Sequence, residues 1–296
     1  MTKNLKGYFF VLLGATLIGS VGVLVRAIYQ YETDPIKVVT YRVIIATLLL
    51  FGTFALFNPE KLKIKLKDLP FFALYGFLSV GITYTLFFYA VKYTTIGTAV
   101  IFADTYPAWV LFLSLCFLNE RLTKQKIVAL LLTLCGTLLV AQIHNPSALK
   151  FNLRGAVYGL LSGLGLASYT LFGKRATFKY DSGTVVSYAL FFGALFLLFF
   201  RNPVTLIYSN YPRITWLWIF TLAIVPTIFG YFLYIKGLKH LESSKAVIIS
   251  TWDVVVALIL AYIIFDEKLI PIQILGAIMI FTGILIIKRK EKTEGE

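Results

Sequence analysis

Three ionisable side chains, Arg42, Asp104 and Asp253, stand inside long apolar stretches. Counting about 1.5 Å per helical residue, Arg42 lies about 8 Å below one membrane face and the two aspartates lie about 12–13 Å in, near the bilayer centre. A charge at that depth costs at least about 2.5 kcal/mol, so each group must face a partner or a watery cavity. Two kinds of chemistry follow, and both can hold together. An Arg42–Asp104 pair would lock two helices to each other, whereas groups lining a path would meet a charged solute or carry a proton. Tyr106 and Trp252 flank the acids, and Tyr84 with Tyr231 and Tyr41 with Tyr188 form pairs 147 residues apart. Such rings can wall an amphipathic cavity, with hydroxyls or an indole N–H at its polar edge. The candidate substrate-binding or coupling residues are therefore Asp104, Asp253, Trp252, Arg42, Tyr106, Tyr84, Tyr231, Tyr41 and Tyr188.

The elements that position these groups must be membrane helices. Of 296 residues 59% are apolar and only 14% charged, which is more apolar surface than a soluble domain of this size can bury. Ten apolar segments, approximately 8–28, 36–57, 69–91, 96–118, 127–143, 156–173, 183–200, 214–235, 246–265 and 270–287, are candidates to cross the bilayer. Backbone groups cannot stay unpaired in lipid, and the runs lack the alternation of a barrel strand, so they are read as helices. The expected fold is an all-α integral membrane protein with ten transmembrane helices. Pro107 and Pro226 should bend their spans. Gly155, Gly159, Gly163 and Gly165, like Ala15 with Gly19, should let helices approach closely. Cys116 and Cys135 are expected to be buried small apolar residues.

A shift of 147 positions lays Ala99–Gly136 on Ala246–Gly283 without a gap, with nine of 38 positions identical. Asn119-Glu120-Arg121-Leu122 falls on Asp266-Glu267-Lys268-Leu269, an acid-base-Leu pattern harder to obtain by chance than matched leucines. Leu5-Lys6-Gly7 likewise resembles Leu153-Arg154-Gly155 at an offset of 148. The chain is thus expected to comprise two five-helix repeats, 1–145 and 146–296, in one intertwined transmembrane domain. Five is odd, so the second repeat would cross in the opposite sense, the inverted plan of many transporters that alternate access. Glu120 and Glu267, each followed by a base, are expected to make interfacial salt bridges or helix-end contacts.

Charge and motifs exclude other classes. The net charge of +14 comes from short basic segments between apolar runs, which speaks for membrane topology and against nucleic acid. With this topology 19 Lys and Arg fall on one side and eight on the other, so the rich side, with both termini, should be cytoplasmic. Trp216 and Trp218 then lie in the outer aromatic belt. No metal-ligand spacing and no nucleotide-binding loop is present, and His144 and His240 match no ligand pattern. Ser162 and Ser168 have no intramembrane His partner, so an embedded enzyme is disfavoured. No catalytic residue, metal or cofactor is assigned. The expected partners are a small-molecule substrate and the lipid bilayer of the cell membrane, with proton coupling and a homodimer left open.

The ten spans in two inverted halves, with Asn119-Glu120-Arg121-Leu122 and Asp266-Glu267-Lys268-Leu269 each preceding a helix that carries Gly136 or Gly283, resemble the EamA family of the drug/metabolite transporter superfamily. The resemblance covers nearly the whole chain. Arg42 resembles an arginine common early in the second span of that family. The resemblance implies a secondary transporter, often an exporter of amino acids or other metabolites. It also implies a central cavity lined by spans one, three, four, six, eight and nine, with five and ten at the periphery. This chain has Trp252-Asp253 where the second repeat often has Glu-Pro. Span one has no acid, unlike the related small multidrug proteins, which speaks against a simple proton-for-cation antiporter of that type.

Overall fold

A computed structural model describes residues 3–142, 152–200 and 211–289, and every regular element among them is helical. Ten helices follow in order: α1 (Asn4–Ile28), α2 (Pro35–Phe57), α3 (Leu66–Tyr93), α4 (Thr98–Phe117), α5 (Lys124–Val140), α6 (Leu153–Ala176), α7 (Ser182–Phe199), α8 (Arg213–Leu238), α9 (Ser243–Phe265) and α10 (Pro271–Lys288). Nine are long and apolar enough to span a bilayer. The tenth, α5, has 17 residues, about 26 Å of helix, and matches the shortest expected span. The 145/146 boundary, His144, Asn145-Pro146, Lys150, Arg201, Asn202-Pro203, Lys290 and Lys292 lie outside the described residues.

Polar side chains at the membrane edges start several of these helices. Asp34 accepts hydrogen bonds from the backbone N–H groups of Ile36 and Lys37, with Pro35 at the first helical position. Asn152 does the same for Arg154 and Gly155 at the head of α6. At one rim the buried Lys126 ammonium stands between Glu242 at 2.8 Å and Glu120 at 3.5 Å, tying α5 to the ends of α4 and α9.

Several helices are interrupted, and the interruptions recur along the chain. α3 carries a π-helical segment at Phe77–Ile82, and α8 carries one at Ala223–Gly230 around Pro226. α4 breaks at Asp104–Thr105 and α9 at Thr251, positions 147 residues apart. Helix starts share that spacing: Pro35 with Ser182, Leu66 with Arg213, and Lys124 with Pro271. Proline is not the common cause, because neither the α3 segment nor the α9 break contains one. α1 and α6 differ, since α1 is interrupted at Gly19–Ser20 whereas α6 is continuous.

Small residues set the crossings, as the spacing predicts. The α6 glycines lie against Thr94, Phe102, Ala103 and Thr83, and a Cβ on Gly14 would press on the Gly230 carbonyl of α8. α5 and α10 pack chiefly on each other at the edge of the bundle. Their contact is reciprocal: a Cβ on Gly136 would come within 2.6 Å of the Gly276 carbonyl oxygen, and one on Gly283 within 2.9 Å of the Ala129 carbonyl oxygen. The cysteines depart from expectation. Cys116 and Cys135 are exposed on the outer surface of their helices, where a thiol tolerates lipid as readily as a protein interior.

Two predictions follow from this packing. Gly136→Val should lower the thermal midpoint in detergent, at a cost of about 1–3 kcal/mol from overpacking, because backbone atoms cannot yield as a side chain would. Gly22→Ala, at a position with nothing within 4 Å, should leave the midpoint unchanged or slightly raised. Burial pushes the Glu242 carboxyl up, but the Lys126 and Lys245 ammonium groups outweigh it and hold the group below its ordinary 4.5. The ionised form therefore stabilises the fold above pH 4.5, and this contribution is lost as the pH falls below that value. Melting curves of the wild type and Glu242→Gln should differ most near neutrality and converge in acid.

Candidate functional site

The polar residues buried between the helices gather into two poles. The first is Arg42 on α2, with only 5% of its surface exposed. Its Nε donates to the Thr227 hydroxyl of α8 at 2.5 Å, and that hydroxyl in turn donates at 2.7 Å to the carbonyl of Leu222, the residue just before the π-helical segment. The guanidinium carbon lies 5.9 Å from the centre of the Tyr84 ring and 5.7 Å from that of Tyr231, within cation–π range. Tyr84 and Tyr231 meet through their hydroxyls at 3.3 Å, so this pair is brought together across α3 and α8. Nη2 of Arg42 is buried without a hydrogen-bond partner among the described residues.

No ion pair among the described residues involves Arg42. The lock between Arg42 and Asp104 is therefore not formed; α2 is held to α8 by Thr227 instead. The physical reason is position: Asp104 belongs to the other pole, at the break in α4.

That second pole holds both aspartates. Asp104 and Asp253 are each half-buried and sit at the matching interruptions of α4 and α9. Their carboxylates lie within electrostatic reach of each other. Asp253 accepts from the Val254 N–H at 2.8 Å, at the start of the second half of α9. Tyr106 reaches from α4 to α9, its hydroxyl 3.0 Å from that of Ser250. Trp252 donates its indole N–H to the Thr16 hydroxyl of α1 at 3.2 Å. The α1 interruption packs here too, a Cβ on Gly19 coming 2.7 Å from the Asp253 carbonyl oxygen.

Seven of the nine candidate residues thus belong to one polar interior. The structure does not bring Tyr41 and Tyr188 to it. Tyr41 packs edge-on against Trp216, ring centres 5.2 Å apart. Tyr188 donates to the Leu62 carbonyl at 2.8 Å and packs among Phe51, Phe72 and Phe192. Tyr41 is buried and Tyr188 half-buried by packing, which symmetry of position alone could not distinguish from a pocket wall. Other residues join the poles. Tyr169 packs at a tilt against Tyr231 with ring centres 5.0 Å apart, and the Tyr234 hydroxyl lies 2.8 Å from that of Thr170. Helical spacing offered one signal for Tyr234, which lies one turn beyond Tyr231. Thr227 gave none beyond its place next to Pro226. The interior is built from α1, α3, α4, α6, α8 and α9 as the resemblance implied, with α2 added through Arg42.

Comparison with known proteins fits this architecture. The model of the EamA-like transporter family matches residues 5–142 and again 153–289. An uncharacterized transporter of Archaeoglobus fulgidus is 30% identical over 258 residues, covering 87% of this chain and 90% of that one. The uncharacterized inner membrane transporter YicL of Salmonella typhimurium is 26% identical over 301 residues, covering 97% and 96%. A solved crystal structure superposes with a TM-score of 0.77 over 97% of both chains at 15% identity, a likeness of fold.

The hydrogen bond from Arg42 to Thr227 yields a prediction. Thr227→Val keeps the side-chain shape but leaves Nε without an acceptor, and should cost about 1–3 kcal/mol of stability. Thr227→Ser should restore it, as read by thermal unfolding in detergent.

Proposed function

The chain belongs to the EamA-like transporter family, and on that premise we propose that it exports small amphipathic metabolites, amino acids first among them, by alternating access. It is a membrane transporter and not an enzyme. The observation that carries the proposed substrate class is the Arg42 guanidinium, buried with Nη2 unpartnered and held between the Tyr84 and Tyr231 rings. A buried cation without a counter-ion is costly, and a solute carboxylate would supply one. Asp104 and Asp253 form the opposite pole, suited to a solute ammonium group or to a coupling proton. Tyr106, Trp252, Tyr84 and Tyr231 would flank the apolar part of such a solute.

The recurrence of helix starts and interruptions at 147 residues supports two five-helix halves of opposite sense, divided near 145/146. The excess of Lys and Arg on one side supports insertion in the cytoplasmic membrane with both termini inside. Helices broken beside the acids supply the irregular backbone that transporters place around a midplane site.

Transport of labelled amino acids by the purified protein in proteoliposomes tests the proposal. Asp253→Asn should abolish or uncouple transport while leaving the thermal midpoint intact; wild-type rates in that variant would remove Asp253 from the mechanism. Arg42→Gln should raise KM for carboxylate-bearing solutes about tenfold or more, the loss expected for a buried charge-assisted hydrogen bond. It should spare analogues that carry no carboxylate.

A further inference from the structure

Glu120 and Glu267 are 147 residues apart and end matching helices, yet they are used differently. Glu120 is buried on the first turn of α9. Its carboxylate accepts from the Ser243 N–H at 2.5 Å, from the Ser244 N–H at 3.1 Å and from the Ser244 hydroxyl. A carboxylate there satisfies orphan donors and meets the positive end of the helix dipole. Nearby, Lys174 donates to the Leu238 and Leu241 carbonyls at 2.8 and 2.6 Å, just past the end of α8. Acid and base are thus each held on a helix end. Glu120 also lies 3.5 Å from the buried Lys126 ammonium, whereas Glu267 is half-exposed and pairs with the exposed Arg26 without touching a helix start. Arg26 stands where Lys174 does, 148 residues earlier, the offset of the first helices of the two halves.

Packing differs in the same sense. Val247, Ile248 and Ile249 in the first half of α9 are 0%, 0% and 1% exposed, enclosed by α1 and the second half of α4. Their counterparts Val100, Ile101 and Phe102 are only half-buried. The first half of α4 packs chiefly on α6 and α3. Among the described residues the first half of α9, at the lysine-rich end with Glu120, is thus more closely enclosed than the first half of α4, at the end with Glu267.

We propose that Glu120 is a latch holding the transporter closed on its lysine-rich side, and that Glu267 makes the same latch on the first turn of α4 when the opposite side closes. This rests on the alternating-access reading. In the exchange Glu120 gives up the α9 amides while Glu267 leaves Arg26 for those of α4. Arg26 is freed to take the carbonyls at the end of α3, as Lys174 takes those at the end of α8. One latch is traded for its copy, which keeps the two states close in energy and open to a solute's bias.

The test uses the full chain carrying Cys116→Ser and Cys135→Ser, with one reporter cysteine at Ile248→Cys or at Ile101→Cys. Labelling by a membrane-impermeant maleimide is followed from either face of oriented vesicles. Glu120→Gln should raise labelling at Ile248→Cys and lower it at Ile101→Cys, changing their ratio about tenfold. Glu267→Gln should move both in the opposite directions, because the exposed Arg26 pair it also removes contributes less than an amide-bound carboxylate. If Glu120→Gln does not fold, the Glu267→Gln arm decides alone. Both positions rising together would mean general loosening and would overturn the latch. Reciprocal labelling that responds to a mixture of the common L-amino acids but to neither substitution would overturn the latch and spare alternating access. Labelling that is reciprocal under no condition would overturn both.

Discussion

A guanidinium buried between helices is the constraint on which much of the interior depends. Arg42 cannot be satisfied by its own helix, so α2 must meet α8 at Thr227 and the rings of α3 and α8 must close over it. Two ring faces and a hydroxyl compensate for part of the lost hydration, each cation–π contact contributing about 1–2 kcal/mol at most when desolvated. A full ion pair with Asp104 would compensate for more, but it would also neutralise both poles. The arrangement keeps a cation at one end of the interior and carboxylates at the other. That separation is unfavourable for an empty protein and useful for one that must receive a solute carrying both charges.

The broken helices belong to the same economy. In lipid an interrupted backbone is tolerated only where protein or water can pair the freed groups. The structure meets that condition locally. The Thr83 hydroxyl donates to the Leu78 carbonyl, and the Thr227 hydroxyl to the Leu222 carbonyl, each five residues back and within or beside a π-helical segment. At α9 the Asp253 carboxylate accepts the N–H of Val254 just past the break. The interruptions therefore coincide with the polar residues because those residues supply the missing partners. They also divide α4 and α9 into halves, which under the proposed alternating access would tilt separately to gate each end.

How much of this was legible in the sequence depended on the physical origin of each feature. The ten helices were, because continuous apolar runs in lipid admit one backbone solution. Asp104, Asp253 and Arg42 were, because burying an ion is expensive enough to mark it. Tyr84 and Tyr231 were found by repeat position, yet the same criterion picked Tyr41 and Tyr188, which pack against Trp216 and the Leu62 loop. A tyrosine serves equally well as core filler, so type and symmetry do not tell the roles apart. The choice of Thr227 over Asp104 as the partner of Arg42 was not legible. It depends on where the π-helical segment turns a hydroxyl. The exposure of Cys116 and Cys135 was missed for a related reason, since lipid-facing and buried positions have similar composition in a membrane helix.

The symmetry of the scaffold and the asymmetry of its charges perform different tasks. Where the halves meet as copies, contacts are reciprocal: Gly136 on Gly276 against Gly283 on Ala129, and Tyr84 on its own counterpart Tyr231. Two faces built alike can exchange open and closed with little net change in free energy. A wholly symmetric interior, however, would hold a solute equally well in two opposed orientations. Arg42 breaks that tie, because the position 147 residues on is Ala189. The aspartates break it again: Asp104 matches Thr251, and Asp253 matches Tyr106, two residues out of step. On the proposed function, a solute with a carboxylate and an ammonium group would then have one preferred orientation, set by side chains that the repeat does not share, inside a frame whose movement the repeat would make inexpensive.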